Sequence, residues 1–127
     1  SRRTGLGVTA LGDALAAMGM KYDSDRALSA IESIMQTKMS SELDCTIDLS
    51  ILRGSFPSWD LNQEYIGPGF PALGANPFYQ FILDEFPEQV ERMMKHGRRN
   101  VSWSTVAPTG SLSIMDIIKK HSYRISL

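Results

Sequence analysis

Between Gly7 and Met18 the apolar residues Val8, Leu11, Leu15 and Met18 recur at helical spacing, with Ala10, Ala14, Ala16 and Ala17 between them. This spacing predicts a helix over 7–18, closed by Gly19 as a left-handed cap. A second stripe, Ala27, Leu28, Ile31, Ile34, Met35, Met39 and Leu43, follows Asp23 and Ser24, either of which suits an N-cap. It marks a long helix to about Leu52, stopped by Arg53-Gly54. Residues 55–75 then form a Gly/Pro-rich loop, with Pro57, Gly67-Pro68-Gly69-Phe70-Pro71 and Gly74. Structureless loops of that length are uncommon, so Phe56, Trp59, Tyr65 and Phe70 are expected to pin it to the helices. Asn76-Pro77 reads as an N-cap with proline at the first helical position, opening a helix from Phe78 to Glu85. Pro87 opens another, Glu88 to His96, terminated by Gly97.

From Asn100 to Val106 the pattern changes to alternation, with Val101, Trp103 and Thr105 against Ser102, Ser104 and Val106, and a short strand is expected. The chain then enters a loop of small residues at 107–113, and Ile114 to Lys120 returns to helical spacing. The fold class is therefore mainly α with a short β element, read as a single domain over residues 1–127.

Composition narrows the function. Thirteen basic residues against 14 acidic ones leave a formal charge of −1, which disfavours nucleic acid and anionic membranes as partners. Hydrophobic residues at 43% and charged residues at 21% are ordinary for a soluble, folded chain. Cys45 is the only cysteine, so an intrachain disulfide and a cysteine-only metal cage are both excluded, and a reducing, cytoplasmic setting fits. No apolar run is long enough for a membrane-spanning helix. The start at Ser1-Arg2-Arg3, without methionine, reads as a segment of something longer.

The arrangement most suggestive of chemistry is strand, small-residue loop, helix. Backbone N–H groups converging at such a helix start, together with the hydroxyls of Thr109, Ser111 and Ser113, make an anion site for which phosphate is the natural ligand. The loop has no Walker lysine, and capping by an ordinary Ser/Thr residue explains the same residues. Other features have plainer readings. Gly5, Gly7 and Gly12 lack the spacing of a dinucleotide fingerprint and are expected to permit close backbone approach. Cys45 reads as a small buried or half-buried side chain, and His96 and His121 as solvent-facing. Asp84, Glu85 and Glu88 suit the helix start near Pro87, and Arg98-Arg99 read as a solvated pair at a helix end.

Separated blocks carry a more specific signal. Arg2-Arg3-Thr4-Gly5-Leu6-Gly7-Val8, with Gly12-Asp13-Ala14-Leu15 and Tyr22-Asp23-Ser24, resembles the "RRIGLGVMGLAD…YDSEEA" stretch of the ribonucleotide reductase catalytic chain. Arg53-Gly54-Ser55-Phe56-Pro57 resembles that family's "RGPFP" turn. Gly97-Arg98-Arg99-Asn100 leading to Ala107-Pro108-Thr109-Gly110-Ser111-Leu112-Ser113 is similar to its "G-x-RN…APTGTIS" segment. The resemblance covers residues 1 to about 115; after Met115 the chain departs from the family's "T-x-SGIEP" continuation.

The resemblance implies a partial segment of the ten-stranded α/β barrel of an oxidoreductase that makes deoxyribonucleotides for DNA synthesis. It assigns Ala107, Pro108, Thr109, Gly110, Ser111 and Ser113 to the phosphates of a ribonucleotide substrate, diphosphate or triphosphate. It also implies three thiols that one cysteine cannot supply, so no catalytic residue is assigned and the isolated chain is expected to be inactive. The Thr-Gly-Ser-Leu-Ser form leans toward the adenosylcobalamin-dependent branch, with the cofactor belonging to a full-length enzyme and none expected on this chain alone. Expected partners are the substrate, the rest of the reductase chain and, through exposed strand edges, further copies of itself. The alternatives are a stand-alone phosphate or nucleotide binder and a helical interaction module in which the loop only caps a helix.

Overall fold

The structure is a computed structural model that describes residues 2–59 and 77–108, without the side chains of 77–80. In chain order the described elements are β1 (Arg3–Leu6), α1 (Leu11–Ala17), α2 (Asp25–Arg53), α3 (Pro77–Glu85), α4 (Pro87–His96) and β2 (Ser102–Ser104). They group into two compact units, one of residues 1–5 and 35–104, the other of residues 6–34 and 105–127. The described part is mainly helical with a two-stranded sheet, and no described helix is long and apolar enough to cross a membrane.

Helix boundaries follow the local chemistry. The Ser24 hydroxyl accepts the Ala27 N–H at 3.2 Å, so the cap of α2 is Ser24 rather than Asp23. At the other end Gly54 takes φ +78° and returns its N–H to the Ser50 carbonyl, ending the helix where Arg53-Gly54 predicted. α1 closes with the paired bonds of a Schellman turn, Gly19 N–H to Ala16 O at 3.0 Å and Met20 N–H to Leu15 O at 2.9 Å. α3 and α4 begin at the two prolines, and Gly97 with φ +72° terminates α4.

The first helix is shorter than its pattern. Arg3–Leu6 is a strand, and helix α1 starts at Leu11, after Ala10 has turned into the left-handed region at φ 59°. The strand was invisible to periodicity because all four of its residues are exposed, which leaves no alternation to read. β1 pairs with β2. Val101 N–H donates to Arg2 O and Thr105 N–H to Leu6 O, so the partners advance together and the pairing is parallel. The strand expected over 100–106 is thus confined to Ser102–Ser104, and it has a neighbour where none was expected.

In the larger unit the core is Leu43 of α2, Ile82 and Phe86 around α3, Val90 of α4 and Trp103 of β2, with Met39 packed against them. Ile47 and Met93 are also fully buried. Trp103 alternates inward while Ser102 and Ser104 face outward, as the strand pattern required. Arg92 of α4 bridges Asp44 and Asp48 of α2 at 2.8 and 2.7 Å. In the smaller unit Leu15 and Ala27 are buried. A Cβ on Gly7 would lie 3.2 Å from the Thr105 carbonyl oxygen, so close approach does explain that glycine. Around Gly12 there is open space, and close approach does not explain it.

Candidate functional site

The candidate loop is entered from β2. Ala107 and Pro108 are exposed and outside any helix or strand, whereas Thr109, Gly110, Ser111 and Ser113, and the helix expected over 114–120, lie outside the described residues. So do Asn76, His121 and most of the loop over 55–75. What the structure does describe is the scaffold that aims the chain toward residue 107.

That scaffold is the Gly97-Arg98-Arg99-Asn100 block. Gly97 is required there twice over, by its positive φ and because a Cβ would lie 2.9 Å from Ser55 Cβ and 3.2 Å from the Trp59 ring. Arg98 is buried rather than solvated, which corrects the sequence expectation. Its guanidinium lies 5.0 Å from the Phe56 ring centre and 5.2 Å from that of Trp103. One nitrogen, Nη1, donates to the carbonyls of Asn100 and Val101, each at 2.7 Å. The planar cation thereby joins the turn after α2 to the strand that leads to the loop. Phe56 N–H also donates to Arg98 O, so Phe56 is pinned as expected.

Arg99 and Asn100 dock the same segment on α2. Arg99 Nη1 donates to the carbonyls of Arg53 and Gly54 at 2.9 and 3.0 Å, satisfying acceptors that the helix end leaves open. Partial desolvation, followed by repulsion from Arg2 and Arg53, holds its pKa below the ordinary arginine range. The Arg99 N–H donates to Thr46 O, and the Asn100 N–H to the Thr46 hydroxyl. Ser50, one turn further along α2, donates to His96 O at 2.7 Å. Thr46 and Ser50 were missed by the sequence reading. Their signal is two hydroxyl residues four apart on a long helix, buried where an apolar stripe would run.

Other candidates fall where their chemistry allows. Cys45 is exposed, not buried, because its neighbours Thr46 and Ile47 take the inward face of α2. His96 is exposed, as read. Among the described residues no group of three or more His, Cys, Asp or Glu side chains could hold a metal ion.

Comparison with known proteins agrees with the motifs. The family model "Ribonucleotide reductase, barrel domain" matches residues 1–123, which extends past Met115 into the segment that departs from the quoted motif. The chain is similar to the vitamin B12-dependent ribonucleoside-diphosphate reductase of Mycobacterium tuberculosis strain CDC 1551 / Oshkosh, with 28% identity over 116 residues. That alignment takes in 91% of this chain and 13% of the relative. The same protein of strain ATCC 25618 / H37Rv gives 28% identity over 91% of this chain and 12% of the relative. This chain thus spans about an eighth of the length of these relatives. No solved structure matches it significantly. With a scaffold built from the family's own motif residues and a family match over nearly its whole length, this chain belongs to the ribonucleotide reductase barrel-domain family.

Proposed function

We propose that this chain contributes the substrate-phosphate loop of a ribonucleoside-diphosphate reductase, with residues 107–113 receiving the phosphates. Support comes from one observation: the family-type Gly97–Asn100 block is clamped at every residue, and β2 leaves it directly for exposed Ala107 and Pro108. A phosphate loop has to be held from behind while its N–H groups stay open in front. In this reading Thr109, Ser111 and Ser113 add hydroxyl donors, Gly110 lets the backbone approach the anion, and Ala107 and Pro108 shape the entry.

The family resemblance implies three thiols for reduction, and this chain has one cysteine, Cys45. The chain by itself binds without turning over, and the chemistry belongs to a full-length reductase whose barrel this segment helps to form. The names of the mycobacterial relatives favour a vitamin B12-dependent enzyme. In this reading adenosylcobalamin serves the full-length enzyme, and no residue of this chain is assigned to it.

Calorimetry with a ribonucleoside diphosphate tests the proposal. Saturable binding that disappears in the Ser111→Ala, Ser113→Ala double variant is expected. Absence of binding at millimolar ligand overturns it.

A further inference from the structure

A cationic cluster stands where β1 and β2 begin, whereas residues 107–113 follow the end of β2 in the chain. Three consecutive carbonyls of the turn after α2 are gripped by two arginines: Arg99 takes Arg53 O and Gly54 O, and Arg2 Nη1 donates to Ser55 O at 3.0 Å. The two guanidiniums are thus held side by side along one stretch of backbone. Arg53 is close enough that it and Arg2 both depress the Arg99 pKa. Arg2, Arg3, Arg53 and Arg99 have no carboxylate partner among the described residues, although the chain as a whole carries a formal charge of −1.

Beside this cluster lies a cavity of about 530 Å3 lined by Arg2, Arg3, Phe56, Pro57, Ser58 and Val101. Its walls combine two cations, a hydroxyl and apolar surface. Arg2, which lines it, has φ 50°, a left-handed conformation unfavourable for a side chain of this size. The conformation is held by the Arg2 carbonyl accepting from Val101 and by the guanidinium on Ser55. In Arg2 and Arg99 Nη1 is the one guanidinium nitrogen with a protein acceptor among the described residues, which leaves fork donors for a ligand.

We infer that the Arg2–Arg3 cavity is a second anion site, distinct from residues 107–113, and that it takes a ligand with two adjacent phosphates. Like charges left unpaired at one corner lower their mutual repulsion by gathering an anion, and guanidinium forks match phosphate oxygens bidentately. A single charge would satisfy one arginine; a diphosphate spans the pair. The diphosphate arrives either free or as the tail of a nucleotide, and the two share the same recognition chemistry. Because the cavity is open to water, binding weakens as salt rises.

The test titrates inorganic pyrophosphate into the whole 127-residue chain carrying Ser111→Ala and Ser113→Ala, so that the serine hydroxyls of the 107–113 loop make no contribution and the Arg3 variants report on the cavity. Saturable one-to-one binding is expected, weakened at least tenfold by adding Arg3→Gln and weakened less by adding Arg3→Lys, which keeps the charge and loses the fork. Arg3 is exposed in β1 and has no side-chain bond among the described residues, so neither change threatens folding. A nucleoside diphosphate in place of pyrophosphate identifies the source: tighter binding assigns the site to nucleotides, equal or weaker binding to free diphosphate. Absence of saturation in the Ser111→Ala, Ser113→Ala chain, or equal binding after Arg3→Gln, overturns the inference and leaves the reading of residues 107–113 untouched.

Discussion

Thr46 and Asn100, 54 positions apart in sequence, close a two-bond clasp: the Thr46 hydroxyl donates to Asn100 Oδ1 at 3.0 Å and accepts the Asn100 N–H at 3.1 Å. A hydroxyl can do both at once, and no apolar side chain of the same shape can do either. Thr46→Val therefore leaves the Asn100 N–H and amide without these partners in a part-buried place. A loss of about 1–3 kcal/mol is expected in urea unfolding. Affinity for a ribonucleoside diphosphate is expected to fall as well, because the strand leading to the loop loses its anchor.

Arg98 offers a sharper contrast with its neighbour in sequence. Lysine would keep the charge but lose the flat guanidinium surface against Phe56 and Trp103, from which Nη1 reaches the Asn100 and Val101 carbonyls. Arg98→Lys is expected to cost about 1.5–3 kcal/mol by the same measurement, the range for hydrogen bonds to charged groups. A change within experimental error would show that burial of Arg98 is incidental.

Two glycines separate conformational strain from collision. Gly54 and Gly97 both have positive φ, but a Cβ on Gly54 meets open space while one on Gly97 meets Ser55 and Trp59. Gly54→Ala is expected to cost about 1–2 kcal/mol, the left-handed penalty alone. Gly97→Ala should exceed it, and thermal denaturation of the two variants in parallel gives the order.

Lys38 and Glu42 form an ion pair at 2.7 Å in which the carboxylate is buried, with its second oxygen unpartnered among the described residues. Lys38→Met strands that charge and is expected to destabilise by about 3–5 kcal/mol. Adding Glu42→Leu should recover most of the loss, since replacing a buried pair by apolar side chains is often neutral. A double-mutant cycle in urea checks the sign of the coupling.

Much of the helical framework was legible because its signals are local. Ser24, Gly54, Pro77, Pro87 and Gly97 each act within one turn of a boundary, and all five stand at or beside the ends of their helices. β1 was not legible, since an exposed strand is recognised only by its partner, which lies 98 residues away at the Thr4–Ser102 bond. The inward face of α2 was legible only in part: Leu28 of the apolar stripe is exposed, while Thr46 and Ser50, outside that stripe, are buried because they bond to the segment around His96 and Asn100. Of the candidate site, the motif residues were legible, but the burial of Arg98 was not. Two adjacent arginines look alike in sequence, and the aromatic rings that separate their roles come from residues 56 and 103.

The most direct measurement is amide chemical-shift mapping of the 15N-labelled chain titrated with a ribonucleoside diphosphate. Saturating shifts at Thr109, Gly110, Ser111 and Ser113, lost together in the Ser111→Ala, Ser113→Ala variant, are the predicted result. Unmoved resonances from these four residues at millimolar ligand would contradict the assignment of residues 107–113 as a substrate-phosphate loop.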